Sequence, residues 1–375
     1  MRGKYERRKP QKAKKGGKTA LIVLLVILIL VVGLVAAGVI YYNSILNNIN
    51  HVEVPKVVYT EAATEPGEEA PETTSVETEA VETTEAPTQP HVASRDDYIN
   101  ILVVGQAARE GEAERFADTM MRFTINTYEK SVTMTSFLRD TLVQRSVDWK
   151  NKTFGGIKLT TIYHMGSLYG GNGAAGSMEL MNMTLYKNFG VEVDYNFEVD
   201  FDAFVHIIDE LGGVDIELTE AEAAYLNADD FWVLEDVEPG MNNLGGMAAL
   251  SFARMRKAEG DNDSDITRTA RQRRLVSSIL TQLKKQGPGF IRYVAKEVLP
   301  MITTSMSNSE ITDLMMTMLP MLPDLTIGEG GTCPAESWGD MVDIYGDGMK
   351  HSILRFDETK TKAYMRERTL GETAN

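Results

Sequence analysis

Among 375 residues the sequence holds a single cysteine, Cys333. No internal disulfide can form, so stability must come from a large buried core, and metal centres built on thiolates are excluded. Histidine is also sparse: His51, His91, His164, His206 and His351 are scattered without ligand spacing, which argues against zinc. A phosphate loop is missing, because glycine-rich "GSLYGGNGAAG" (166–176) lacks the Gly-Lys-Ser/Thr ending and fits no dinucleotide fingerprint. That stretch reads as a mobile surface loop.

Charge is absent from Thr19 through Tyr42, a run dominated by Leu, Ile and Val. At about 1.5 Å per residue it can cross a hydrocarbon layer of roughly 30 Å. A cleavable signal would carry a shorter apolar region, so 19–42 reads as a transmembrane helix that stays attached. Residues 1–18 hold nine Lys or Arg and one Glu, which places this tail in the cytoplasm and everything after Tyr42 outside. The tail lacks aromatic interleaving and serves topology, not nucleic-acid binding.

Residues 43–95 are rich in Thr, Glu and Pro and poor in large apolar side chains, as in "TEAATEPGEEAPETTSVETEAVETTEAPTQP". Such a segment buries too little to offset its ordering entropy and reads as a disordered, self-repelling linker that holds the next domain off the membrane. Residues 96–370 then form one large α/β domain. Apolar strand-like runs ("YINILVVG", "MMRFTIN", "SVTMTSFL", "YNFEVDF") alternate with helical spacing. Met178, Met181 and Leu185 share one helix face; Phe204, Ile207, Ile208 and Leu211 share another, closed by Gly212. The alternation implies a mixed sheet covered on both faces. Methionines in "DLMMTMLPML" read as core filling, and the C-terminal stretch as a hairpin and closing helix, with Cys333 inert.

What is plentiful is arginine in one place. Residues 256–275, "RKAEGDNDSDITRTARQRRL", hold five arginines in a chain of net charge -16. In an extended "LSFARMR", Arg254 and Arg256 emerge on one face. After a polar loop, Arg268, Arg271 and Gln272 stand three and four apart near the start of a helix, where the helix dipole also favours an anion. Arginine suits phosphate because its planar fork donates two parallel hydrogen bonds and stays charged. A solvated basic face balanced by Asp261, Asp263 and Asp265 is the bland alternative. With Arg109, Arg139 and Lys158 also following strand-like segments, the expected ligand is a polyanion.

These residues, in this order, resemble the LytR-CpsA-Psr family of bacterial cell-envelope proteins. "NILVVGQAAREGE", "ADTMMRFTIN", "VTMTSFLRDTLV", "KLTTIYHMG", "VDFDAFVHIIDELGGVDI" and "LSFARMRK…DSDITRTARQRRL" are similar to its successive motifs. The resemblance implies a three-layer α/β/α domain that binds polyprenyl-pyrophosphate-linked glycopolymer, such as teichoic acid or capsule, and moves it onto a peptidoglycan hydroxyl with Mg²⁺ near the pyrophosphate. It further implies that Arg109, Arg139, Lys158, Arg254, Arg256, Arg268, Arg271 and Gln272 grip the pyrophosphate. Asp118 would bind metal or help deprotonate the acceptor, with Arg139, Arg254 and Arg268 beside it in catalysis; Asp140 and Asp265 would orient the arginines. The chain departs from the pattern at Ala107, where an aspartate is expected, at Phe116, where an arginine is expected, and at Thr160 in place of asparagine. Losing one of two carboxylates should weaken metal binding. The implied function is a phosphotransferase outside the cell; the alternative is a receptor or scaffold for the same lipid-linked polymer. DNA contact is excluded by topology, since the arginines lie across the membrane from the genome.

Overall fold

The computed structural model describes residues 49–57, 59, 94–106, 115–171, 173–228, 236–256, 265–283, 299–318, 320–321, 324–335, 338–346 and 349–370. The cytoplasmic tail, the transmembrane segment 19–42, most of the linker, Ala107 and Arg109 lie outside the described residues. Among the described residues no helix is long and apolar enough to cross a membrane.

The elements run β1 (Asn50–His51), β2 (Tyr98–Gln106), β3 (Ala117–Asn126), β4 (Ser131–Phe137) and the small hairpin β5 (Val147–Trp149) and β6 (Lys152–Phe154). Helices α1 (Leu159–Gly170) and α2 (Ala174–Phe189) precede β7 (Tyr195–Val199), α3 (Phe201–Glu210), β8 (Val214–Leu218), α4 (Glu220–Ala228) and β9 (Gly240–Leu244). Then follow α5 (Gly246–Arg254), α6 (Asp265–Leu283), β10 (Thr303–Thr304), α7 (Asn308–Met318), β11 (Thr326–Ile327) and β12 (Gly331–Cys333). The hairpin β13 (Gly339–Gly346) and β14 (Met349–Phe356) and the closing helix α8 (Glu358–Leu370) end the domain.

The main sheet is mixed, in the order β1-β10-β7-β2-β3-β4-β11, with β12 also pairing β4. β2 is parallel to β7 and antiparallel to β3. Side-chain alternation along β2 explains the layering: Ile101 and Val103 point into one core, Leu102 and Val104 into the other. The first core takes Phe204 and Ile207 of α3, Leu250 of α5 and Leu275 and Ile279 of α6. The second takes Ile162 of α1, Met178, Met181 and Leu185 of α2 and Met365 of α8. Helices thus cover both faces, giving three layers. Asp200 caps α3 by accepting from the Ala203 amide at 3.0 Å, a contact worth about 1 kcal/mol. Met315, Met318 and Met321 are buried as core filling, whereas Met316 of the same run is 66% exposed.

Three expectations need correction. Glycine-rich 166–176 is not a surface loop across most of its length but the crossing of α1 and α2. A Cβ on Gly166 would lie 2.5 Å from the Gly176 carbonyl oxygen, and one on Gly176 2.5 Å from that of Gly166, so the glycines let two backbones touch. "LSFARMR" is not extended either: Leu250 to Arg254 complete α5, and the backbone leaves the helix at Met255 (φ -52°, ψ 122°). Burial of Ala249, Leu250, Phe252 and Ala253 decides for the helix. Lastly, the segment read as a disordered linker includes residues docked on the domain. Ile49 is buried in the first core, β1 pairs parallel with β10, and the Tyr59 hydroxyl donates to the Val193 carbonyl at 3.0 Å.

Candidate active site

A β-bulge sets the centre. Gly105 of β2 faces Thr119 and Gln106 faces Ala117, so Asp118 is the extra residue on β3 and its side chain is re-aimed. Asp118 is 5% exposed, and its Oδ1 accepts from Arg139 Nη1 at 2.6 Å. Arg139 follows β4 in a loop braced on the start of α1, where the Thr160 amide donates to the Arg139 carbonyl at 3.0 Å. Arg139 Nε lies 3.8 Å from both Asp140 Oδ2 and Asp265 Oδ1. Lys158, just before α1, puts Nζ 2.6 Å from Asp140 Oδ1.

Helix α6 closes the cluster from the other side. Asp265, its first residue, accepts from the Arg139 amide at 3.1 Å and pairs with Arg268 one turn along. Arg268 is 2% exposed, and its Nη2 donates to the Asp118 carbonyl at 3.4 Å. Gln272, one turn further, is fully buried. The charge of Arg256 is felt at both Asp118 and Arg268. Elements distant in sequence therefore gather Arg139, Lys158, Arg256 and Arg268 around Asp118, Asp140 and Asp265.

Burial pushes the Asp118 carboxyl above its usual range, although Arg139, Arg268 and Arg256 pull it down. Arg268 is shifted down by burial and by the neighbouring Arg139 and Arg256, against Asp265. Burial also works against the Arg139 charge, but Asp118, Asp265 and Asp140 together raise it. Several buried polar atoms meet no hydrogen-bond partner among the described residues: Arg139 Nε, Arg268 Nε, both amide atoms of Gln272, and the hydroxyls of Thr119 and Thr160. Each such group costs about 1–3 kcal/mol if left unmade, so the two arginine Nε atoms and the Gln272 amide nitrogen can receive acceptors. A divalent cation would find Asp118, whose Oδ1 is already on Arg139, while no group of three His, Cys, Asp or Glu converges among the described residues. The set does not fit a metal centre built by protein ligands alone.

The other expected residues are placed differently. Arg271 turns away to α4: Nε donates to Glu222 at 2.9 Å and Nη1 to the Met255 carbonyl at 3.2 Å, bracing the residue before Arg256. Arg254 ends α5 with its guanidinium 5.4 Å from the Phe201 ring. Arg109 lies outside the described residues. Glu222 was missed, yet Thr219-x-x-Glu222 is a capping box whose reciprocal contacts are made at 3.1 and 3.2 Å. Glu198 was missed too; its signal was a charge inside the strand-like "NFEV".

The fold and this cluster define an α/β/α domain in which arginines and a lysine meet partly buried carboxylates. The chain belongs to the LytR_cpsA_psr family, whose model matches residues 62–323. Biofilm regulatory protein A of Streptococcus mutans is 28% identical over 180 residues, 48% of this chain and 41% of that protein. Polyisoprenyl-teichoic acid–peptidoglycan teichoic acid transferase TagU of Halalkalibacterium halodurans is 28% identical over 196 residues, covering 50% and 54%. The chain thus spans about half the length of the curated relatives it matches. Among solved structures, the fold is similar to Bacillus subtilis TagT (TM-score 0.52, 21% identity, covering 76% of this chain and 95% of that one). It is also similar to YwtF (TagT) with bound octaprenyl pyrophosphate lipid (TM-score 0.50, 19% identity, covering 76% and 95%).

Proposed function

We propose that this protein is a membrane-anchored transferase outside the cell, which moves a glycopolymer from a polyprenyl pyrophosphate carrier to a peptidoglycan hydroxyl. The observation that carries this is the meeting of Arg139 and Arg268 on the buried Asp118, with Lys158 held on the adjoining Asp140. The names of TagU and TagT, and the octaprenyl pyrophosphate bound in one TagT structure, support the ligand class. The predicted helix 19–42 supplies the anchor and the outward orientation.

In this reading Asp118 takes the proton of the acceptor hydroxyl, a role its raised pKa suits. The acceptor oxygen bonds to the phosphorus that bears the polymer, the bridging P–O bond breaks, and polyprenyl phosphate leaves. Arg139 and Arg268, fixed before substrate arrives, stabilise the charge that grows on the phosphate oxygens. If Mg²⁺ were bound, Asp118 would be its protein carboxylate and the ion would offset charge on the phosphate oxygens.

The test is to give the full chain in detergent a polyprenyl-pyrophosphate-linked oligosaccharide, a peptidoglycan fragment and Mg²⁺. Release of polyprenyl phosphate with a joined product is expected. Tight binding without turnover would instead support the receptor reading, which Ala107 and Phe116 favour by removing two expected polar groups. Failure to bind the lipid diphosphate would overturn both.

A further inference from the structure

Beside the arginine cluster, a second buried carboxylate gathers donors. Glu198 on β7 is 4% exposed; its Oε1 accepts from Gln106 Nε2 at 2.7 Å and from Arg115 Nη1 at 2.6 Å, and its Oε2 from the Tyr163 hydroxyl at 2.6 Å. Tyr163 is fully buried, whereas the Arg115 side chain is 31% exposed. A buried ion pair is weak support for stability, because desolvation offsets much of the attraction. What it does well is fix the direction of a guanidinium fork.

Arg115 is anchored a second time through its backbone. Its amide donates to His164 Nδ1 at 3.3 Å, and the ring of the next residue, Phe116, stacks on the same imidazole with centroids 4.8 Å apart. Phe116, which stands where the family arginine is expected, therefore holds the chain in place one residue downstream of a real arginine. The position is next to the site: Gln106 faces Ala117, the neighbour of Asp118, across the bulge. Two polar features remain open. The Arg115 fork has five donors, and among the described residues Glu198 is the acceptor it meets. Gln106 Oε1 is buried and meets no partner among the described residues.

We propose that Arg115 is a further phosphate-binding residue of this site and that Glu198, with Tyr163 and Gln106, is its positioning residue. The ligand group is the second phosphate of a diphosphate whose first phosphate lies on Arg139 and Arg268, so the proposal rests on the diphosphate reading of the site. Pre-aiming a partly exposed arginine removes the ordering cost that a flexible side chain would meet on binding. A register shift of one residue thereby restores a cation that Phe116 removed.

The experiment is calorimetric titration of the full chain in detergent with polyprenyl pyrophosphate and, separately, polyprenyl monophosphate. Arg115→Ala should weaken diphosphate binding by about tenfold or more, as expected for a charge-assisted contact, and Arg115→Lys by less. Glu198→Gln should weaken it several-fold and add little in the Arg115→Ala background, because both changes act through one fork. Monophosphate affinity should stay within about twofold in all of them, a selectivity that general loosening of the fold would not produce. Wild-type binding that Arg268→Ala weakens and Arg115→Ala leaves intact would sink this proposal alone, as would additive effects of the Arg115 and Glu198 changes. No diphosphate binding by the wild type would overturn this proposal and the reading of the site together.

Discussion

Asp118 is pulled two ways, by burial that raises its pKa and by arginines that lower it, and burial wins. A raised acid binds its proton more tightly in the folded state, so its contribution to stability is present below the ordinary carboxylate value near 3.8 and is lost as pH rises through the folded value. At neutral pH the Asp118 charge is thus a net burden that function retains. Asp118→Asn should lower transfer by roughly 10²–10⁴-fold, the span usual for a lost general base. Its melting temperature relative to wild type should be higher at pH 7 than near pH 4. Transfer assays and thermal melts across that range check both, and an active Asn variant would remove Asp118 from the chemistry. At this scale the sequence was legible where like groups cluster in motifs, as with Arg139, Lys158, Arg268 and Asp265. The turn of Arg271 toward Glu222, shared with Arg274, was not legible because the partner lies some fifty residues away, which spacing cannot show.

Elements were legible where period and burial agreed, as along β2, β7, α2 and α3, and ambiguous where a short apolar run fits two periods. Residues 250–254 fit both alternation and helical spacing, and only their packing between α3 and α6 settles the choice. Glycines at 166, 170 and 176 misled for a related reason: loop formation and close helix crossing call for the same residue. Gly176→Ala should cost about 1–3 kcal/mol through overpacking against α1, read as a lower urea midpoint, while Gly171→Ala, with open space around it, should lose only by its left-handed backbone (φ 72°). Helix α4 carries a pH-dependent tie to α6. Hydrogen bonds from Arg274, Thr219 and Arg271 hold Glu222 below the usual 4.5 despite its burial. A depressed acid gives stability above its unfolded value and loses it as pH falls through the folded one. Wild type should therefore lose more stability than Glu222→Gln on acidification below about pH 4.5, and parallel curves would show that the pair contributes nothing.

For the whole molecule, the ordered stretch after the predicted anchor changes how the domain meets the membrane. A linker from 43 to 95 would allow a wide reach, but Ile49 is already buried in the domain, and the Asn50 and Val52 amides donate to the Ile302 and Thr304 carbonyls at 3.2 and 2.9 Å. Tyr59 both donates to and accepts from Val193 at 3.0 Å, and its ring lies 4.7 Å from that of Tyr186. Burial holds the Tyr59 hydroxyl neutral, with its pKa pushed up to about 12, so these contacts persist through physiological pH. Between Tyr42 and Ile49 the chain can span only about 20–25 Å even if fully extended. With residues 19–42 in a membrane, that reach would hold the domain close to the bilayer, and the β1 and Tyr59 contacts rather than the Thr/Glu/Pro-rich stretch would set the tether length. A protease site engineered within residues 60–93 tests this directly. After complete cleavage in native buffer the domain should still sediment with membranes through β1 and Tyr59, and denaturant should release it. Immediate release in native buffer would show that the edge contacts are too weak to act as a tether, and that the acidic stretch alone sets the reach.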